Sequence, residues 1–183
     1  NGDGSFLVTY NTPAPDSGTD PQREQTDVIY AGEGNDFAWG GRGNDAIFGE
    51  GGADVLVGNS GNDIILGGDG KDILYGDTTE NNAVAVTPGH DYLDGGADDD
   101  ILHGNEGGDI LIGGTGNDTL YGGEGKDTYL FNRGDGRDTI IDIKADNNIF
   151  RFGAGISEKD ITLRLGSLTL DLGNGDEIHI DGF

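Results

Sequence analysis

The strongest constraint on the fold of this chain is a nine-residue period in its sequence. The segment from Gly40 to Phe48, Gly-Gly-Arg-Gly-Asn-Asp-Ala-Ile-Phe, returns in related form along most of the chain. An aspartate stands at every ninth residue from Asp36 to Asp72 and again from Asp91 to Asp127, usually with an apolar residue two positions later. A fixed short period of this kind indicates a solenoid, in which each repeat stacks on its neighbours.

Several departures from the period divide the chain. The interval from Asp72 to Asp91 is one period plus a ten-residue insertion, and a two-residue slip after Asp127 leads to a last degenerate copy at 133–141. We therefore expect an irregular or covering N-terminal segment at 1–25, a repeat domain at 26–142 with an inserted loop at 77–88, and a C-terminal β cap at 143–183. Four turns should be less regular, because other residues replace a glycine there: Glu50, Asn59, Asp98 and Asn105.

Composition restricts the partners of the chain. The 37 glycines occur with four prolines and no Gly-X-Y period, which favours repeated tight turns over collagen. Ten basic against 35 acidic residues give a net charge of −25, which opposes contact with nucleic acid and predicts a cation as the first partner. Without cysteine, any metal must be bound by oxygen. No apolar stretch predicts a membrane span, and the start at Asn1 without any methionine suggests a piece of a longer protein.

The repeat resembles the Gly-Gly-x-Gly-x-Asp-x-apolar-x nonapeptide of the RTX (repeats-in-toxin, haemolysin-type) calcium-binding proteins, with about eleven copies between residues 31 and 141. The tail at 138–142, 150–153 and 174–180 resembles the haemolysin-type segment that closes such arrays. The resemblance implies an all-β fold: a right-handed parallel β-roll, a kind of β-helix or solenoid, with calcium between stacked turns and C-terminal capping strands. It also implies type I secretion from a Gram-negative bacterium, with calcium-dependent folding outside the cell or at its surface.

Physically, six residues of each repeat would form a turn and three a short strand whose middle residue points inward. Two repeats then complete one coil, so turns eighteen residues apart stack at a spacing of about 4.8 Å. One predicted aspartate ladder contains Asp36, Asp54, Asp72, Asp100, Asp118 and Asp138, and the other contains Asp27, Asp45, Asp63, Asp91, Asp109 and Asp127. Stacked carboxylates at this spacing repel by roughly 3 kcal/mol per pair at an effective dielectric constant near 20, so the empty roll should be unstable.

The resemblance also implies the calcium ligands. They are the sixth-position aspartates of both ladders and the main-chain carbonyls early in each turn. The glycines expected to supply these carbonyls are Gly32, Gly34, Gly41, Gly43, Gly52, Gly61, Gly68, Gly70, Gly96, Gly107, Gly114, Gly116, Gly123 and Gly125. With five gaps in each ladder and some imperfect turns, we expect about seven to nine calcium ions.

Two stripes of outward strand residues are more apolar than a solvated roll requires. One stripe is Phe37, Trp39, Val55, Val57, Ile73 and Tyr75, and the other is Ala46, Phe48, Ile64, Leu66, Ile110 and Ile112. We predict that the N-terminal segment or the final strands, Ile161 to Leu165 and Leu168 to Leu172, pack on one of these faces and protect the open end of the roll. The alternative is that β-forming residues are simply left exposed.

No catalytic motif is present. The zinc-protease, nucleophile-elbow and P-loop patterns do not occur, and the three histidines, His90, His103 and His179, are scattered. The Arg133-Gly134-Asp135 tripeptide is of a kind that chance produces easily in a chain rich in these residues. We therefore expect a non-enzymatic calcium-binding module of a secreted adhesin or toxin; the alternative is the secretion and folding module of a secreted hydrolase or epimerase. A cell-surface or carbohydrate target stays open.

Overall fold

The fold is built from short strands and connecting turns. The computed structural model describes residues 7–9, 26–77, 88–141, 147–164 and 168–181. The strands are β1 (Leu7–Thr9), β2 (Val28–Glu33), β3 (Phe37–Arg42), β4 (Ala46–Gly51), β5 (Val55–Ser60), β6 (Ile64–Asp69), β7 (Ile73–Asp77), β8 (Tyr92–Ala97), β9 (Ile101–Glu106), β10 (Ile110–Thr115), β11 (Thr119–Glu124), β12 (Thr128–Phe131), β13 (Arg137–Ile141), β14 (Ile149–Phe152), β15 (Thr162–Arg164), β16 (Leu168–Gly173) and β17 (Asp176–Asp181). The described residues include no helix long and apolar enough to cross a membrane.

Successive strands alternate between two parallel sheets. Sheet A has the order β1-β3-β5-β7-β9-β11-β13-β17-β16-β15, and sheet B has the order β14-β12-β10-β8-β6-β4-β2. Each strand of the array therefore pairs with the strand two positions along the chain, as in the register Ile47↔Ile65 between β4 and β6. This arrangement confirms the predicted all-β parallel β-roll with two repeats per coil.

The core consists of one inward side chain from each repeat, packed between the two sheets. Neighbouring side chains on a strand point to opposite faces, so only the middle residue of each apolar triplet points inward. These residues are almost completely buried: Ile29, Ala38, Ile47, Leu56, Ile65, Leu74, Leu93, Leu102, Leu111, Leu120, Tyr129 and Ile140. One residue per repeat thus supplies nearly all of the core within the roll.

The strands are longer than the sequence predicted. Most of them have six residues rather than three, because pairing continues into the glycines of the next repeat, as in Gly32↔Glu50 and Glu33↔Gly51. Stacked copies of one turn have nearly the same backbone, so they stay in register and keep their main-chain pairing. The four replacements keep the left-handed backbone that glycine adopts elsewhere, with φ between 74° at Asn105 and 88° at Asn59.

The insertion interrupts one turn without changing the register of the array. Residues 78–87 lie outside the described residues, but the strand before them and the turn after them are aligned with their neighbours. Asp77 pairs with Asn59 in the preceding coil, and Gly89 bridges to Gly107 in the next. The inserted residues therefore leave the turn between its second and third positions and return to the same stack.

The final strands close one end of the core. Strand β17 pairs in parallel with β13, and β16 and β15 then add antiparallel strands to the same sheet. Leu172 and Ile178 join the buried core at this end. The strands thus protect the open end as predicted, but they continue sheet A rather than covering either outward stripe. At the other end, β1 also extends sheet A, and residues 10–25 lie outside the described residues.

The outward stripes are only partly covered. Val57 and Ile112 are buried, whereas Trp39, Ile64 and Ile110 are 38 to 48% exposed. Some of this cover comes from neighbouring rings, as where His103 stacks between Tyr75 and Tyr121 at centroid distances of 4.8 and 4.4 Å. Rows of like residues on adjacent strands therefore bury one another in part.

A glycine substitution tests how tightly the coils stack. A Cβ atom at Gly49 would overlap the carbonyl oxygen of Gly67 and Oδ2 of Asp54, whereas one at Gly51 would meet only the flexible Glu33 side chain. Gly49→Ala should therefore destabilise the folded protein by about 1–3 kcal/mol, the usual range for overpacking. Gly51→Ala, in the same turn, should be nearly neutral. Urea unfolding with calcium present would measure both; equal stabilities would contradict the tight stacking.

Candidate metal centres

The sixth-position aspartates form two continuous ladders, one along each edge of the roll. From Asp45 to Asp138, the Oδ1 atom of each ladder aspartate accepts a hydrogen bond from the main-chain N–H of the aspartate one coil earlier, at 2.7–3.1 Å. The members and their order are those expected from the sequence, including Asp91 after the insertion and Asp138 after the slip. Asn148 extends the second ladder, since its Oδ1 accepts from Asp127 N at 2.7 Å.

The second oxygen of these carboxylates has no hydrogen-bonding partner. Oδ2 is buried and unpartnered in Asp45, Asp54, Asp63, Asp72, Asp91, Asp100, Asp109 and Asp118. A buried charged oxygen without a partner costs several kcal/mol in general, so such atoms are rare in native proteins. A hard cation is the partner that these oxygens fit, because calcium is bound by carboxylate and carbonyl oxygens.

Burial and mutual repulsion both disfavour the ionised carboxylates. Desolvation, followed by the charges of neighbouring aspartates, raises the pKa of Asp63, Asp100 and Asp109 to about 8. The pKa of Asp72 rises to about 6 for the same two reasons. Without compensating positive charge, the ladders therefore cannot hold all their carboxylates ionised near neutral pH.

Main-chain carbonyls of the turns supply further oxygens along the stack. The carbonyl oxygen of Gly43 lies against the Cα of Gly61 in the next coil, and that of Gly96 lies in the same way against Gly114. In the described ranges, no three acidic, histidine or cysteine side chains converge as a metal cluster. A calcium ion here would therefore need these carbonyls as well as the aspartates, since it takes six to eight oxygens.

Not every predicted carbonyl ligand is equally available. The Gly41 oxygen accepts a hydrogen bond from Nδ2 of Asn59 at 2.7 Å. The Asp77 carbonyl likewise accepts from Nδ2 of Asn105 at 2.8 Å. Both asparagines stand where the repeat has its second glycine, so these replacements add a side-chain donor to a second-position carbonyl oxygen.

A third set of contacts, at the fifth position of the turn, was not predicted from the sequence. Side chains there accept hydrogen bonds from the fifth-position N–H one coil later. The pairs are Asn35 with Ala53, Asn44 with Asn62, Asn62 with His90, His90 with Gly108 and Asp99 with Asn117, at 2.8–3.0 Å. The recurring Asn-Asp dipeptide was the available signal. These bonds run in the opposite chain direction to those of the aspartates, so hydrogen bonds in both directions connect the coils at these five places.

The Arg133-Gly134-Asp135 tripeptide is engaged within the fold. The Arg133 guanidinium donates to the carbonyl oxygens of Leu172 and Gly155, at 2.7 and 3.1 Å. Asp135 is buried and accepts from Asn132 N at 2.6 Å. These contacts attach the end of the array to the C-terminal strands, which is a structural rather than an adhesive use of the three residues.

Comparisons with known proteins identify the repeat family. No curated protein matches the sequence. Among solved structures, the extracellular lipase LipA from Serratia marcescens is similar at 22% identity and a TM-score of 0.35, over 88% of this chain; the chain spans 38% of the lipase's length. The profile of the RTX calcium-binding nonapeptide repeat matches four times, at residues 24–56, 48–79, 78–111 and 103–140. These matches cover more than half of the sequence, and the chain therefore belongs to the RTX calcium-binding nonapeptide repeat family.

Proposed function

We propose that this chain is a calcium-driven folding module of a larger secreted protein. The carrying observation is the row of buried carboxylate oxygens, on eight aspartates of the two ladders, that have no hydrogen-bonding partner. Each such oxygen disfavours the folded state until a cation neutralises it. The roll would stay unfolded at the low calcium concentration of a bacterial cytosol and fold at the millimolar concentration outside the cell.

The free energy of calcium binding would drive the folding of the roll. The stacked turns that present the ligands exist only in the folded chain, so calcium stabilises the folded state alone. When bound, calcium supplies two positive charges per ion to oxygen ligands. About eight ions, within our expected range of seven to nine, would reduce the net charge from −25 to about −9.

Calcium-driven folding would also fit export of the protein in an unfolded state. An unfolded acidic chain passes through a type I secretion channel more readily than a folded roll, and calcium outside would then drive folding. We propose that the module itself is not catalytic, because its buried carboxylates are committed to the ladders. The parent protein would be an adhesin or toxin of a Gram-negative bacterium.

Calcium titration of chelator-stripped protein tests the proposal. Far-UV circular dichroism should show a cooperative gain of β-structure with a midpoint of roughly 0.1–1 mM calcium, in the range of extracellular calcium modules. Magnesium should produce no such gain, because it demands a smaller octahedral site. A chain that is fully folded without calcium would contradict the proposal.

Removing one ladder carboxylate should weaken calcium-driven folding. Asp109 is buried, and its Oδ1 and N–H connect three consecutive coils. Asp109→Asn should raise the calcium concentration at the folding midpoint by roughly tenfold, because ligand charge tunes calcium affinity over orders of magnitude. Calcium titration followed by circular dichroism measures the shift.

Asp69→Asn is the matched control for this variant. It removes the same charge from an exposed side chain of another turn, the one that ends at Asp72, so its folding midpoint should stay close to that of the wild type. If both variants shifted the midpoint equally, net charge rather than ladder ligation would control folding.

A further inference from the structure

Asp77 stands at an unusual place in the array. It occupies the second position of the turn that ends at Asp91, where most turns have glycine, and it is the last residue before the insertion. Its backbone pairs with Asn59 in the preceding coil. Asp77 is not among the ligands predicted from the sequence, since the consensus repeat has glycine at this position.

The Asp77 side chain points into the stack rather than into solvent. The residue is 2% exposed, and its Oδ2 accepts a hydrogen bond from Gly89 N at 3.1 Å. In regular turns the equivalent glycine N–H donates to a main-chain carbonyl of the next coil, as from Gly107 to Glu124 at 2.9 Å. The Asp77 carboxylate thus replaces a main-chain oxygen at this turn.

The other carboxylate oxygen of Asp77 has no partner. Oδ1 is buried without a hydrogen bond, and none of the ion pairs among the described residues includes Asp77. Eight ladder aspartates each bury one unpartnered oxygen, but the turn of Asp77 buries two such oxygens, because Asp91 Oδ2 is also unpartnered. Among the described turns, only this one has two such buried oxygens.

The surroundings of Asp77 are acidic. A Cβ atom on Gly89 would lie 2.7 Å from Asp91 Oδ1, so the carboxylates of Asp77 and Asp91 flank the same glycine. Desolvation, then the charges of Asp91 and Glu106, raise the pKa of Asp77 to about 7. Glu106 belongs to the next coil, whose turn ends at Asp109. Asp77 therefore lies near negative charge from its own turn and from the turn that ends at Asp109.

We propose that Asp77 supplies an additional side-chain ligand to a calcium ion held between the turn ending at Asp91 and the turn ending at Asp109. The inference rests on the proposed function of the array. Calcium affinity rises with the number of charged ligands, and a second carboxylate from one turn gives this gap more negative charge than a regular gap. The interrupted turn is consequently the tightest calcium site of the chain and the first to fill.

Isothermal titration calorimetry of the whole chain tests this inference. Calcium is titrated into chelator-stripped wild type, Asp77→Asn and the exposed control Asp69→Asn. The tightest class of sites in Asp77→Asn should weaken by roughly tenfold or more, while the weaker class and the dichroism at saturating calcium stay unchanged. Asp69→Asn should match the wild type in both classes.

A second variant covers the case in which asparagine prevents folding. Asp77→Gly installs the residue that most turns carry here, so the chain should fold at saturating calcium and lack only the tight class. If both variants keep the tight class, the inference is overturned and Asp77 is a buried protonated acid. If the wild type itself fails to fold with calcium, the proposed function fails; normal folding with unchanged tight binding in the variants overturns this inference alone.

Discussion

Metal-free protein is expected to gain β-structure as the pH falls from about 8 towards 6, the reverse of ordinary acid unfolding. The reason is that the folded-state pKa values of Asp63, Asp100 and Asp109 lie at about 8, and those of Asp72, Asp91 and Asp118 at about 6. In the unfolded chain the same groups titrate near 3.8. Between these values the folded state binds more protons, so its stability rises as the pH falls.

The calcium-loaded protein should show the opposite dependence. Carboxylates that ligate calcium must stay ionised, so protons compete with the metal and the calcium concentration at the folding midpoint should rise on acidification. Circular dichroism at several pH values, with chelator and with calcium, measures both effects. A metal-free chain whose β-structure stays constant or decreases from pH 8 to pH 6 would show that the ladder charges do not oppose folding.

Truncating one side chain of the hydrophobic core is expected to destabilise the calcium-loaded protein strongly. Leu102 lies fully buried between the sheets, in the middle of the array. Leu102→Ala should cost about 2–5 kcal/mol in the free energy of unfolding, from lost burial and from the cavity that remains. Each coil contributes only two core side chains, so few neighbours within the coil can move to fill that cavity. Denaturant unfolding at saturating calcium measures the loss.

The neighbouring residue provides the control. Ile101 lies on the same strand but points outward and is 38% exposed. Ile101→Ala removes a side chain of the same size, yet it should cost less than about 1 kcal/mol because much of that side chain already contacts water. Similar losses for the two variants would mean that the outward stripe contributes to stability as much as the core does.

The backbone architecture could be predicted from the sequence because one spacing determines several properties together. The aspartate and the apolar residue two positions later fix which residue points inward and which turns stack. This held across the insertion before Asp91 and across the slip before Asp138, where the ladders continue without a break. A solenoid has no long-range pairing choices to make, since each coil contacts only its neighbours.

What could not be predicted depends on contacts that the period does not encode. The fifth-position acceptors use Asn, His or Asp interchangeably, so no single residue type identifies them. Strands β16 and β15 turn back antiparallel where the period ends, and their direction depends on local turns such as the left-handed Asn174. Asp77 departs from the repeat, and its importance follows only from where its side chain lies.

The alternation of strands between two sheets constrains how such a chain can change in length. Removing two adjacent repeats would delete one complete coil and leave every downstream residue on the same edge of the roll. Removing one repeat would instead move every downstream aspartate to the opposite ladder, and β13 with the closing strand β17 would then continue sheet B of the upstream coils instead of sheet A. Array length in this architecture is therefore expected to vary in whole coils of eighteen residues during evolution, although its sequence unit has nine.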